Sequence, residues 1–124
     1  FQTTQGEMSL TVLDQPGFWD DCKTRHKDEK FDGVIFMFST LDNQSFFNLP
    51  ALMKKYKKFN VPMMFCGSKV ESKNRQVGQV DISKLSSQTG LQYYDISTFA
   101  DHNVNKPFLY LLRRMSGFQD LQFV

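Results

Sequence analysis

The sequence predicts an α/β domain with a mostly parallel sheet flanked by helices, and three observations support this prediction. Residues 33–39 (GVIFMFS) and 61–66 (VPMMFC) are nearly continuous apolar runs, as expected for strands that are covered on both faces. Segments in which apolar residues have helical spacing alternate with the strand segments. The 124 residues, of which 40% are hydrophobic, suffice for one core and are too few for two. We therefore expect one domain over residues 1–124.

Two further segments are predicted to be strands, and polar residues follow the strand ends. Residues 8–13 (MSLTVL) alternate between apolar and polar side chains, and residues 91–96 (LQYYDI) are rich in aromatic and branched residues. Asp14, Ser68 and Ser97 fall at or just after predicted carboxyl ends. Because the ligand crevice of such a sheet lies at the carboxyl ends of its strands, we expect these three residues to converge on one crevice.

Three helices are predicted between and after these strands. Pro50 lies near the first turn of one helix, and Pro107 and Gly117 mark the start and the end of another. A weaker helical pattern covers residues 80–88 and is closed by Gly90. The two stronger helices each carry an apolar stripe with spacing i, i+3, i+4, i+7, consisting of Leu49, Leu52, Met53 and Tyr56 in the first and of Phe108, Leu111, Leu112 and Met115 in the second.

Charge and cysteine content exclude several functional classes. Fifteen lysines and arginines against 13 acidic residues leave a net charge of +2, too small for the long-range field of a dedicated nucleic-acid binder. Cys22 and Cys66 have no spacing typical of zinc ligands, and we expect no metal site around His26 either. Cys66 lies in an apolar run, where a free thiol behaves as a small hydrophobe, so we expect a reducing compartment. The sequence contains neither a signal peptide nor a membrane-spanning run.

Six motifs are distributed along the chain: "TVLDQPG" and "VIFMF" in the first half, and "NVPMMFCGSKV", "LQYYDIS", "KPFLYLLRRMSG" and "LQFV" in the second. Together they resemble the Ran-type small GTPases of nuclear transport over nearly the whole chain. The resemblance implies a small-GTPase (P-loop NTPase-like) fold and a nuclear or cytoplasmic location. It also implies a nucleotide site built from several loops, which can be compared with this sequence residue by residue.

The first part of that comparison concerns the phosphate side of the site. Asp14 and Gly17 match the family's metal-side acid and its phosphate-contacting glycine, although Asp14 could also serve only as a turn or capping residue. Phe18 stands where the family has the glutamine that orients the attacking water, and a phenyl ring has no donor or acceptor. No Gly-Lys pair of a phosphate loop occurs in the sequence.

The base-reading side of the implied site has also changed. The family's Asn-Lys-x-Asp appears as Ser68, Lys69, Val70 and Glu71, and a serine hydroxyl cannot reproduce the paired donor and acceptor of an amide. Ser97 begins a segment that ends in Phe99, where the family has Ser-Ala-Lys. Each lost charge-assisted contact costs about 1.5–3 kcal/mol, and 1.4 kcal/mol is a factor of ten in affinity.

The resemblance therefore predicts a pseudo-GTPase that hydrolyses no GTP and holds no nucleotide or metal. The alternative is a degenerate guanine-nucleotide-binding GTPase, with GTP or GDP and magnesium, whose N-terminal half is absent from this chain. Residue 1 corresponds to a position after the family's first switch, so we expect the first strand and the phosphate loop to be missing. The strands at residues 8–13 and 33–39 would then either pair directly with each other or be bridged by another segment.

Partner binding is the remaining function that the sequence addresses. Phe18 and Trp19 replace polar switch positions with apolar surface and are either packed inside or available as anchors for another protein chain. Residues 86–90 (SSQTG) stand where Ran-type proteins carry a basic receptor-binding segment, so we expect the usual transport-receptor contacts to be lost. Residues 54–58 (KKYKK) favour a solvated helix face over an RNA site that would also use residues 113–114. We expect an interaction subunit connected by descent to nuclear transport or RNA export.

Overall fold

The computed structural model describes residues 1–12, 32–69, 73–97 and 100–124. Its centre is a parallel sheet of three strands that neighbour one another in chain order, and two short strands near residue 1 form a separate antiparallel hairpin. The predicted α/β class with a parallel sheet is thus confirmed. In chain order the elements are β1 (Gln2–Thr3), β2 (Gly6–Glu7), β3 (Val34–Ser39), α1 (Asn43–Phe47), α2 (Leu49–Tyr56), a 3₁₀ turn (Lys57–Phe59), β4 (Met63–Ser68), α3 (Gln79–Thr89), β5 (Gln92–Asp95) and α4 (Lys106–Ser116).

The sheet is covered on both faces, as its apolar strands require. Phe36 pairs in register with Phe65, and both face a core that α1, α2 and α3 complete. On the other face Met64 and Cys66 pack against Leu111 of α4. Strand β4 lies in the middle, and Phe65, Met64 and Cys66 are completely buried. This position explains why the β4 segment reads as an unbroken apolar run.

The three predicted helices are present. Where a proline or a glycine marks a helix end in the sequence, the observed end lies within one residue of it. Pro50 and Pro107 occupy the first turns of α2 and α4, where a missing N–H costs no helical hydrogen bond. Gly90 and Gly117 end α3 and α4 with left-handed backbones at φ 71° and 81°. Strand β4 starts two residues later than predicted because Pro62 has no N–H to donate to the sheet ladder.

The strand predicted over residues 8–13 is wrong for its described part, residues 8–12. Those residues form no strand, and the hairpin of β1 and β2 lies before them. Met8 still bonds Phe1, its N–H donating to the Phe1 carbonyl at 2.8 Å, but Val12 is 71% exposed. Among the described residues β3 pairs only with β4, so the direct pairing of residues 8–12 with β3 is not found. Alternating side chains indicate a half-buried segment, whereas a strand also needs a neighbour to bond.

The hairpin is joined to the last described residues of the chain. The N–H of Val124 donates to the Gln2 carbonyl at 2.9 Å, and the rings of Phe1 and Phe123 stack with centroids 4.8 Å apart. Leu121 is fully buried, and its carbonyl accepts a 2.7 Å hydrogen bond from Arg113 Nε of α4. The "LQFV" segment therefore fastens the hairpin to the helix. Among the helices of the described residues, none has the length and apolar character of a membrane-spanning segment.

Candidate functional site

The carboxyl ends of β3, β4 and β5 bring together the described residues of the predicted crevice. Ser68 is the last residue of β4, and Ser97 follows β5 after one intervening residue. The two strand ends are joined by a 2.8 Å hydrogen bond from the Ile96 N–H to the Gly67 carbonyl. The remaining residues predicted to line the site or to bind a partner, Asp14, Gly17, Phe18, Trp19 and Glu71, lie outside the described residues.

Thr40, which the sequence did not single out, is the centre of this edge. It is completely buried, and its hydroxyl donates to the Ser68 carbonyl at 2.7 Å and lies 3.2 Å from the Lys69 carbonyl. Its own carbonyl accepts from the N–H groups of Gln76 and Val77, at 2.7 and 3.0 Å. One threonine thus ties the end of β3 to the end of β4 and to the segment that leads into α3.

Ser68 occupies the position at which the resemblance implies a base-reading asparagine. Its hydroxyl is turned back onto the sheet, where it donates to the Phe38 carbonyl at 3.2 Å, and the side chain is half-buried. The next residue, Lys69, is exposed and has a left-handed backbone at φ 59°. Such a φ is uncommon for a residue other than glycine, and the carbonyl bond from Thr40 helps to hold it.

Ser97 is also used internally. Only 1% of its surface is exposed, and its hydroxyl accepts the Ala100 N–H at 3.0 Å. Its backbone exchanges two hydrogen bonds with His102, of 3.0 and 2.8 Å. Asp101 and Asn103 adopt left-handed φ angles of 51° and 57° in the same loop. The loop after β5 is therefore closed by its own bonds around the serine.

A polar network lies at the carboxyl end of β5, beside these loops. Arg75 bonds the Asp95 carboxylate with two nitrogens, at 3.3 and 3.2 Å, and its Nε donates to the Val77 carbonyl at 2.8 Å. Gln79 donates to Asp95 at 2.9 Å, and the Tyr93 hydroxyl donates to it as well. The side chains of Arg75 and Asp95 are each 21% exposed, so the ion pair is partly shielded from water.

The network shifts the pKa values of its members in opposite directions. Burial acts to raise the pKa of the Asp95 carboxyl, but the hydrogen bonds from Tyr93 and Arg75, the arginine charge and the bond from Gln79 together lower it below its ordinary value. The pKa of the Tyr93 hydroxyl is raised, first by burial and then by its hydrogen bond to Asp95. Asp95 is thus held ionised and Tyr93 neutral, as expected for a structural anchor.

We expect the Asp95→Asn variant to lose the acid-dependent part of the wild-type stability. Because the pKa of Asp95 is lowered on folding, the unfolded chain takes up this proton first, and the stabilisation is present above about pH 4 and disappears as the pH falls below it. Urea unfolding at several pH values between neutral and acid measures how steeply the free energy of unfolding falls with pH. The matched control is Asp120→Asn, at an exposed carboxylate; equal slopes in the two variants would contradict the role of Asp95.

The comparison with known protein families agrees with this architecture. In the part of the chain that the structure describes, the crevice edge offers one exposed cation, Lys69, beside hydroxyls that are already bonded within the protein. The family model of the Ras family matches residues 2–117, which is nearly the whole chain. A parallel sheet flanked by helices, with polar loops at its carboxyl edge, is the arrangement expected of such a domain. The chain therefore belongs to the Ras family and has a small-GTPase-like domain.

Proposed function

We propose that this domain is a Ran-like pseudo-GTPase, which hydrolyses no GTP and acts as a protein-interaction subunit. The observation that best supports the proposal is the hydrogen bond of Ser68, whose hydroxyl donates to the Phe38 carbonyl within the sheet. An asparagine amide at this position offers a carbonyl acceptor and an NH₂ group with two donors, whereas the serine hydroxyl has a single O–H, which already donates within the sheet.

The substitutions along the sequence support the same proposal. Phe18 replaces the residue that would orient the attacking water, and Glu71 replaces the base-binding aspartate. Ser97 keeps the family's residue type, but its hydroxyl accepts a bond from its own loop. Losing two charge-assisted contacts to the base costs about 3–6 kcal/mol, which is a factor of about 10²–10⁴ in affinity.

The proposed partner is another protein chain, and the proposed setting follows from descent. Ran-type proteins act in nuclear transport, so a nuclear or cytoplasmic complex connected to transport or RNA export is the setting that we propose. Phe18 and Trp19 are the candidate anchors, since large aromatic side chains dominate binding hot spots. The usual receptor contacts are not part of the proposal, because residues 86–90 (SSQTG) carry no basic charge.

Nucleotide occupancy tests the proposal directly. The full-length protein, purified gently from its own cells, is expected to have a native mass without GDP or GTP, and titration with a fluorescent GDP analogue and magnesium is expected to give no saturable signal.

Two outcomes would contradict the proposal. A mass increment of one guanine nucleotide with magnesium would show that the chain is a degenerate nucleotide-binding GTPase. Saturable binding in the wild type that is lost in Lys69→Ala, but kept in the distant control Lys84→Ala, would place a working base site at the end of β4. Both lysines are exposed, so neither substitution disturbs the core.

A further inference from the structure

Helices α1 and α2 together present one exposed stripe that combines an aromatic ring with lysines. The two helices are joined through Asn48, which is itself helical with φ −77° and ψ −16°. Its N–H donates to the Gln44 carbonyl at 3.1 Å, and its carbonyl accepts from the Leu52 N–H at 3.3 Å. The helical hydrogen-bond ladder therefore continues from α1 into α2, and residues on both helices can share a face.

The exposed face of this composite helix is set by residue spacing. Phe47, Ala51, Lys54 and Lys58 follow one another at intervals of four, three and four, and all of them are exposed. Lys57, three residues after Lys54, is exposed at the margin of this face. The opposite face is the buried one, formed by Phe46, Leu49 and Met53. The stripe of exposed residues, Phe47, Ala51, Lys54, Lys57 and Lys58, is called the lysine stripe below.

The lysine stripe is strongly cationic. Between residues 43 and 69 the sequence contains lysines but neither aspartate nor glutamate. Among the described residues no carboxylate forms an ion pair with Lys54, Lys57 or Lys58, and Lys58 Nζ instead lies 5.4 Å from the centroid of the Phe59 ring. Unpaired lysines along one helical face create a local positive potential that attracts carboxylates.

Compensation of the helix dipole explains only part of the stripe. Cations near the carboxyl end of a helix are stabilising, and Lys54, Lys57 and Lys58 all lie in or after the last turn of α2. Phe47 lies at the other end and is 66% exposed, whereas its neighbour Phe46 is 8% exposed. Its ring meets the Phe46 ring edge-on, with centroids 6.1 Å apart, and the exposed remainder supplies the apolar contact that lysines alone lack.

We propose that the lysine stripe is a docking surface for an acidic segment of a partner protein that carries at least one apolar side chain. The inference rests on the interaction role proposed above and names the chemistry of the partner. From Phe47 to Lys58 the stripe rises about 16 Å, the length of an extended segment of about five residues. The apolar side chain of that segment lies on Phe47, and its carboxylates lie along the lysines.

A protein segment fits the stripe better than a nucleic acid does. Polyanion binding grows with the number of phosphates that are neutralised, and the lysines of the stripe together neutralise only about three. The net charge of +2 adds little long-range attraction. A partner that contacts both Phe47 and the lysines gains apolar burial as well as charge pairing, which a phosphate backbone does not provide.

The test uses a fluorescein-labelled synthetic peptide of glutamates around a central leucine, with fluorescence anisotropy as the readout. The full-length protein is expected to bind this peptide, more weakly as salt is added. The Lys54→Glu/Lys58→Glu variant is expected to bind it at least about tenfold more weakly, and Phe47→Ala about fivefold more weakly. The control is Lys84→Glu, a single charge reversal at an exposed lysine of α3, which is expected to change binding by less than about twofold.

Three results would overturn the proposal: no binding of the peptide, binding that Lys54→Glu/Lys58→Glu and Lys84→Glu weaken equally, or tighter binding of an oligouridylate that the stripe variants abolish. Nucleotide content is measured in the same preparations. Nucleotide-free protein that fails to bind the peptide contradicts the docking surface alone. If the protein binds the peptide through the lysine stripe but contains GDP or GTP, the pseudo-GTPase proposal is contradicted and the docking surface is supported.

Discussion

Replacing Gly67 with alanine is expected to lower the free energy of unfolding by about 2–3 kcal/mol, because there is no room for a methyl group at this point of β4. A Cβ on Gly67 would lie 2.8 Å from Cζ of Phe38 and 3.1 Å from Cγ2 of Thr40, and it would also collide with the Tyr93 hydroxyl. Phe38 and Thr40 are buried at 3% and 0% exposure, so neither can move away cheaply. Urea unfolding followed by circular dichroism measures the loss.

The matched control is Gly78→Ala, which makes the same chemical change in open space. A Cβ on Gly78 would meet no atom within 4 Å, and its φ of −91° is one that alanine adopts readily. We expect its stability to stay within about 0.5 kcal/mol of the wild type, because a slightly poorer helix cap is offset by a less flexible unfolded chain. Equal losses in the two variants would contradict the close packing at Gly67.

A second substitution tests whether the Tyr93 hydroxyl is the atom that obstructs the new methyl group at position 67. If the Tyr93 hydroxyl meets the new methyl group, Gly67→Ala should cost less in a Tyr93→Phe background than in the wild type. The residual cost would then come from Phe38 and Thr40. Strict additivity of the two substitutions would mean that the tyrosine ring can move aside, which its bond to Asp95 opposes.

The regular elements of the fold could be predicted from the sequence because their signals are local. Apolar spacing together with Pro107 and Gly117 located α4 to within one residue, and the unbroken apolar run around Phe65 indicated a central strand. The hairpin of β1 and β2 was missed because it is two residues long on each side. Its stability depends on contacts such as the hydrogen bond between Val124 and Gln2, two residues at opposite ends of the sequence.

The candidate site was only partly predictable, for a related reason. The positions of Ser68 and Ser97 at strand ends follow from the apolar pattern, but the direction of a hydroxyl does not. Thr40 was missed because a threonine after a strand is common in any sequence. Its importance comes from the parallel register, which sets Ser39 opposite Ser68. Thr40, the residue after Ser39, can therefore bond to the end of β4. Register between strands is a long-range property, which a single sequence seldom reveals.

A second large effect is expected for the reactivity of the Cys66 thiol. This reactivity reports how readily β4, the strand that carries Ser68, opens to solvent. It lies two residues before Ser68, is completely buried and forms no disulfide. Burial raises the pKa of the Cys66 thiol from 9.0 to about 12. Since the thiolate is the reactive form, such a shift lowers its population about 1000-fold at a pH below both values. The packing of Leu111 over this face also excludes the reagent.

The raised pKa of Cys66 has a consequence for stability. The folded state keeps this proton while the unfolded state releases it, so the free energy of unfolding falls as the pH rises from about 9 toward 12. A Cys66→Ala variant is expected to lack this part of the pH dependence.

The low thiolate population and the packing also predict a slow reaction. We expect Cys66 in the folded protein to react with a disulfide reagent at least about 1000-fold more slowly than in urea, measured in a Cys22→Ser background so that it is the sole thiol. A native rate within about tenfold of the rate in urea would mean that the end of β4 opens readily. In that case the internal bond of Ser68 would be too short-lived to keep its hydroxyl from a ligand, and the main structural support for a pseudo-GTPase would be lost.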